Sequence, residues 1–221
     1  MPQFTGKTVL ITGALGTVGR SMVARYAEEG ASVIALDRPD AKDPQAILDG
    51  IVKGVRYFGC DLNDLAGTEK AVTALADEVG GIDILVNDVA FVVNKPHEDV
   101  SILEKAGKII NMTSLTLTGH WEGFVPYVAS KGAMYGLVKA MARELGVHGI
   151  NVNGINPGAI VSEAEWRHFG DRREKYHQWI LENQSLKRRI EPVDIANTAI
   201  FLSSSQADLI TGQDIHVDGG W

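Results

Sequence analysis

The stretch Lys7–Asp37, KTVLITGALGTVGRSMVARYAEEGASVIALD, decides how the chain folds. Lys7 to Thr12 is a short apolar, β-branched run and reads as a buried strand. A glycine-rich turn follows, Gly13-Ala14-Leu15-Gly16-Thr17-Val18-Gly19. Arg20 to Glu29 is amphipathic and stops at Gly30, as a helix C-cap would. Ser32 to Leu36 is a second buried strand, with Asp37 at its C-terminal end. A strand, a crossover helix and a strand imply a parallel pair. The turn glycines permit a tight reversal and close approach of backbone to a ligand. The helix start behind them offers free N–H groups and a positive dipole end to a phosphate. The bland alternative is a glycine turn without a ligand.

The same alternation continues along the chain. Gly54–Phe58, Ile82–Asn87, Lys108–Met112, Ile150–Ile155 and Gln213–Val217 read as further strands. Ala66–Val79, Tyr127–His148 and a segment from Pro192 to about Ser203 read as helices. This predicts an α/β fold with one doubly wound parallel sheet of about seven strands, residues 1–221 forming a single domain. Ligands then sit at the C-terminal ends of the strands. Thr12, Asp37, Asp61, Asn87 and Ser114 all fall at such ends and should converge on one crevice.

Bulk properties exclude several function classes. A net charge of −7 and a pI near 5.4 argue against nucleic acid or an anionic membrane as the main partner. No apolar run approaches the roughly 18 residues of a membrane span. The N-terminus leads straight into a strand, which fits no signal peptide. The single Cys60 excludes an internal disulfide and reads as a small buried residue. A cytoplasmic location is the resulting expectation.

Three residues suggest proton transfer. Tyr127 and Lys131 are four apart, so on a helix they share one face. Ser114 lies thirteen residues before Tyr127, just beyond the Lys108–Met112 strand. The alternative is an incidental helical pair. Asp37 stands 24 residues after Gly13, near the spacing at which an acidic residue meets the adenosine ribose of a dinucleotide. A carboxylate there accepts from both ribose hydroxyls and repels a 2′-phosphate, so it favours NAD over NADP. Its bland reading is a turn cap, since Pro39 and Asp40 follow.

With these residues in place, the chain resembles the classical short-chain dehydrogenase/reductase family over essentially its whole length. The landmarks are Thr12-Gly13 to Gly19, Asp37, Asp61-Leu62, Asn87, Ser114, Tyr127-x-x-x-Lys131, Asn156-Pro157-Gly158 and the closing Ile210–Gly220 segment. The resemblance implies a Rossmann-like fold and an NAD-dependent oxidoreductase acting on a secondary alcohol or ketone, such as a sugar, polyol or hydroxy acid. It assigns Ser114, Tyr127 and Lys131 to catalysis. Tyr127 is the general acid/base, Ser114 orients the substrate oxygen, and Lys131 holds the nicotinamide ribose and lowers the tyrosine pKa. Cofactor contacts fall to Gly13, Gly16, Thr17, Val18, Gly19, Asp37, Asp61, Leu62, Asn87, Tyr127, Lys131, Pro157, Gly158, the Ile160 backbone and Ser162. Resembling proteins are commonly homodimers or homotetramers.

Three departures stand out. The middle turn glycine is Gly16, where the family places it at Thr17. The family's Asn-Asn-Ala-Gly appears as Asn87-Asp88-Val89-Ala90. Only Phe91–Gly107 joins the fourth and fifth strands, room for one helix over Glu98–Ala106. The helix that supplies the family's fourth catalytic residue, an asparagine, is therefore expected to be missing, with Asn94 a substitute on position alone. A cofactor-binding protein with impaired or no turnover is the rival expectation. Ser162–Glu191 mixes aromatics with bases and reads as a substrate lid or an amphipathic helical pair. His120, Trp121 and Trp166 are the candidate substrate contacts. The lid histidines lack a third ligand at metal spacing, so no metal site is expected.

Overall fold

The computed structural model describes residues 2–88, 107–118 and 123–221, without the side chains of residues 164 and 168. The expected helix over Glu98–Ala106, Asn94, His120 and Trp121 lie outside the described residues. Seven strands form one sheet: β1 Thr8–Thr12, β2 Ser32–Asp37, β3 Arg56–Gly59, β4 Ile84–Asn87, β5 Lys108–Met112, β6 Asn151–Pro157 and β7 Asp214–Val217. Their order is β3-β2-β1-β4-β5-β6-β7, and every pairing is parallel. The chain winds outward from β1 to β3, then returns to β4 on the other side. Between β1 and β4 the strand order reverses, which opens a crevice at their C-terminal ends.

Seven helices accompany the strands among the described residues: α1 Thr17–Glu28, α2 Pro44–Asp49, α3 Leu65–Val79, α4 Val125–Gly146, α5 Glu163–Phe169, α6 Arg173–Asn183 and α7 Pro192–Ser203. The strands are apolar on both faces because helices cover both. Val9, Ile11, Val86, Ile110 and Ile155 pack with Met22, Val23 and Tyr26 of α1 and with Ile195, Ala199 and Leu202 of α7. The intervening residues Leu10, Ile34 and Leu36 face Leu75 and Ala76 of α3, and Ile109 and Val152 face Ala142 and Leu145 of α4. Each such aliphatic side chain, fully buried, contributes about 1.5–3 kcal/mol. Tyr26 is buried completely and bonds Ser203 Oγ at 2.7 Å, tying α1 to α7.

Local chemistry explains where elements start and stop. Asp64 caps α3 by accepting the Gly67 N–H at 3.0 Å, and left-handed Gly80 ends it. The third strand begins at Arg56 instead of the expected Gly54, because Gly54 has φ +86° and turns the chain. Helix α1 starts at Thr17, inside the glycine turn, three residues earlier than its amphipathic pattern suggests. No helix among the described residues is long and apolar enough to cross a membrane.

Candidate active site

The register aligns the strand ends that form the crevice floor. Thr12 of β1 pairs with Leu36 and Asn87, and Asn87 pairs with Asn111. Across β4 and β5, Asn87 Nδ2 donates to Asn111 Oδ1 at 2.9 Å. Thr12 Oγ1 is buried there with no hydrogen-bond partner among the described residues. An orphaned buried hydroxyl at a strand end is unusual, and a ligand group would satisfy it.

The glycine turn is shaped by close contacts. Gly13 has φ +67°, in the left-handed region that favours glycine. A Cβ on Gly19 would stand 2.2 Å from the Gly13 carbonyl oxygen, so no other residue fits there. Gly16 precedes α1 without a side-chain cap, which leaves the Thr17 and Val18 N–H groups for a ligand, while the Gly19 N–H is taken by Asp88. Gly16 thus serves the turn although the family pattern puts glycine at position 17. Asp37 braces the turn: Leu15 N–H donates to its Oδ2 at 2.9 Å, and Arg38 N–H to its Oδ1 at 2.8 Å. A carboxylate has about four acceptor positions, so two remain for ribose hydroxyls. Asp61 closes β3 and accepts twice from Asn63, while Leu62 packs against the layer of Leu10, Ile34 and Leu36. The Cβ-free cradle, the orphaned Thr12 hydroxyl and the free acceptors of Asp37 fit a dinucleotide.

Ser114, Tyr127 and Lys131 come from two neighbouring elements. Ser114 follows β5 and is 6% exposed. Its Oγ accepts from Thr116 N at 3.2 Å and from Thr116 Oγ1 at 3.0 Å, which leaves its own proton free to donate. Tyr127 and Lys131 lie on α4, which opens with Pro126 in its first turn. Tyr127 is 43% exposed, and its hydroxyl bonds no described residue. Lys131 is buried beneath it, its Nζ 5.7 Å from the Tyr127 ring centroid. The ammonium donates to the Met112 carbonyl at 2.8 Å, anchoring α4 to the end of β5. Burial pulls the Lys131 pKa down, and the Asp88 carboxylate opposes that shift. Asp88 itself is pushed up to about 7 by burial, against the pull of Lys131 and of the Gly19 N–H.

Ser114 and Tyr127 line a cavity of about 390 Å³ together with Pro157, Gly158, Ile160 and Ser162. This volume suits a small molecule. A Cβ on Gly158 would stand 2.9 Å from the Asp218 Cα, backbone that cannot easily give way, so glycine is favoured there. Ser162 caps α5 by accepting the Glu165 N–H at 3.1 Å. The segment after Ser162 forms α5 and α6, whose Glu165, Phe169 and Tyr176 face the same cavity. Trp166 does not reach it: the ring is 56% exposed and stacks under Arg173, 4.3 Å from the guanidinium. It sits one residue from inward-facing Glu165, on the solvent side of a single short helix. Sequence reasoning missed Glu165 and its partner Arg189, 24 residues apart, because no local pattern marks a buried ion pair.

Similarity to other proteins agrees with this architecture. A family model described as short chain dehydrogenase matches residues 7–104, and one described as enoyl-(acyl carrier protein) reductase matches residues 97–221. A 3-oxoacyl-[acyl-carrier-protein] reductase FabG of Staphylococcus epidermidis is 34% identical, over 97% of this chain and 98% of its own length. The D-threitol dehydrogenase of Mycolicibacterium smegmatis is 31% identical, over 99% of this chain and 94% of its own. Among solved structures, a glucose/ribitol-type short-chain dehydrogenase/reductase from Brucella melitensis superposes with a TM-score of 0.85 at 26% identity, covering 99% of this chain and 97% of that one. The chain therefore belongs to the short-chain dehydrogenase/reductase family and is an oxidoreductase of CH–OH and C=O groups built on a nicotinamide-binding fold.

Proposed function

We propose that this enzyme moves hydride between NAD(H) and a secondary alcohol or ketone, with Ser114, Tyr127 and Lys131 as its catalytic residues. The observation that carries the reading is the shared cavity of Ser114 and Tyr127, with Lys131 buried behind the tyrosine. The turn of Gly13, Gly16, Thr17, Val18 and Gly19 would hold the cofactor pyrophosphate. Asp37 would hold the adenosine ribose, Asp61 and Leu62 the adenine end, and Asn87, Pro157, Gly158, Ile160 and Ser162 the nicotinamide end. When bound, the nicotinamide supplies the hydride acceptor or donor.

The protein side of the reaction is proton handling. In oxidation the Tyr127 phenolate takes the alcohol proton; in reduction the phenol returns it to the developing alkoxide. The Lys131 ammonium stabilises the phenolate electrostatically. Ser114 donates its free proton to the substrate oxygen and fixes its orientation. The Asp37 carboxylate would repel a 2′-phosphate, which supports NAD over NADP. Side-by-side rates with the two cofactors test this, and a faster reaction with NADP would overturn it. Tyr127→Phe should abolish turnover, with NADH binding followed by fluorescence retained. Substantial residual activity sinks the assignment of Tyr127.

A second reading is a cofactor-binding protein with little turnover. It is favoured by the short link between β4 and β5. The alignment to the Staphylococcus epidermidis relative runs over 244 positions, more than this chain's 221 residues, so that relative carries residues that this chain lacks. Tight NADH binding without turnover across a broad alcohol and sugar screen would favour this reading.

A further inference from the structure

Hydride transfer has no use for a carboxylate on the wall of its substrate cavity, yet Glu165 stands there. Its side chain is 6% exposed, and that of its partner Arg189 is 7% exposed. The Arg189 Nη2 makes a close ion pair with Glu165 Oε2 and also donates to the Ala159 carbonyl at 3.3 Å. Its Nη1 faces His177 Nδ1 at 3.3 Å, and its guanidinium lies 5.8 Å from the Tyr176 ring centroid. Arg189 Nε is buried without a partner among the described residues.

This arrangement is costly as mere packing. Taking two charges out of water carries a penalty of several kcal/mol for each ion, and well-packed apolar side chains of similar volume are often equally stable or better. What the pair achieves is orientation. Arg189 lies behind the wall and occupies one carboxylate oxygen. The other, Oε1, bonds no described residue. Glu165 is thus held rigidly with an acceptor to spare. The neighbouring wall is apolar: Phe169 stacks on Tyr176 with ring centroids 3.7 Å apart, beside Leu115, Phe124 and Ile160. In such surroundings a charged acceptor strongly favours a donor and repels an anion. Burial and the Glu165 charge push the Tyr176 hydroxyl up to about 12, so it stays a neutral donor.

We propose that Glu165 is a specificity-determining residue that accepts a hydrogen bond from a second donor group on the substrate, which selects diols and polyols and rejects hydroxy acids. The proposal rests on the hydride-transfer reading above and narrows its substrate class. An ammonium group would satisfy the same acceptor, so amino alcohols are the second source of this chemistry.

The test compares kcat/KM, with NAD and NADP, for a small secondary mono-ol, the matching vicinal diol, the matching amino alcohol and the matching hydroxy acid. The diol should exceed the mono-ol, and the hydroxy acid should be the poorest. In Glu165→Gln the diol preference should fall roughly ten- to hundredfold, the range of a hydrogen bond to a charged group. The loss should appear in KM for the diol more than in kcat. A purely structural role would lower the rates for diol and mono-ol together and leave their ratio intact. Should Glu165→Gln fold poorly, with Arg189 left unpaired, the double variant Glu165→Leu, Arg189→Met removes both charges and should show the same loss of preference. If the amino alcohol is preferred over the diol, and loses its preference in Glu165→Gln, the acceptor role stands and the selected donor is an ammonium. An unchanged diol-to-mono-ol ratio in both variants overturns the role of Glu165 while leaving hydride transfer standing. Absence of turnover with every alcohol and both cofactors overturns hydride transfer and this proposal together.

Discussion

Asp88 sits just beyond β4, beside the glycine turn and Lys131. Its carboxylate accepts from the Gly19 N–H of the glycine turn and feels the charge of Lys131. The charged groups acting on it are Lys131 of α4, which favours its ionised form, and Asp37 of β2, which opposes it, while the Gly19 N–H donates to it. Its pKa rises from an ordinary 3.8 to about 7 in the folded protein, so the folded state binds more protons between those values. Stability from this group is therefore present below about pH 4 and is lost as pH rises towards 7. Asp88→Asn removes the ionisation. The difference in Tm between wild type and Asp88→Asn should shift against the wild type as pH rises from about 5 to about 8. A difference independent of pH would show that Asp88 titrates like a surface carboxylate. The placement of Tyr127 and Lys131 on one helix was legible in sequence because their spacing is local. The environment of Asp88 was not, since it depends on three other elements meeting it.

At the scale of elements, the glycine turn and α1 form the most constrained unit. The Gly13 carbonyl sits where a Gly19 side chain would be, and Asp37 ties the turn to the neighbouring strand. Gly19→Ala should force the turn open. NADH affinity, read by fluorescence titration, should fall at least tenfold, because the first-turn N–H groups move away from the phosphate position. Unchanged affinity would mean that the pyrophosphate binds elsewhere. The elements themselves were readable: long apolar runs and turn glycines announce strands and their ends. Helix α2 was not, being six residues long and too short for a periodic signal. Trp166 was misplaced for a related reason. Helix α5 has seven residues, and which of them faces inward is set by the docking of α5, not by its pattern.

At the scale of the molecule, the sheet gathers distant residues at one end. Resemblance to oligomeric relatives leads us to expect a homodimer or homotetramer. Size-exclusion chromatography with light scattering should give a mass of twice or four times 23.9 kDa, and a monomer at micromolar concentration would overturn this. The strands, their parallel pairing and the gathering of strand ends at one crevice follow from hydrophobic periodicity and from crossover connections, both of which are written locally along the chain. The order of the strands in the sheet was decided only by the tertiary structure. The pairing of Glu165 with Arg189, the bracing of the turn by Asp37, the orphaned Thr12 hydroxyl and the inward face of α5 and α6 arise only when the chain is packed. Those features depend on burial and on contacts between residues far apart in sequence. Desolvation energies belong to a place in the fold, and no short pattern of residues carries them.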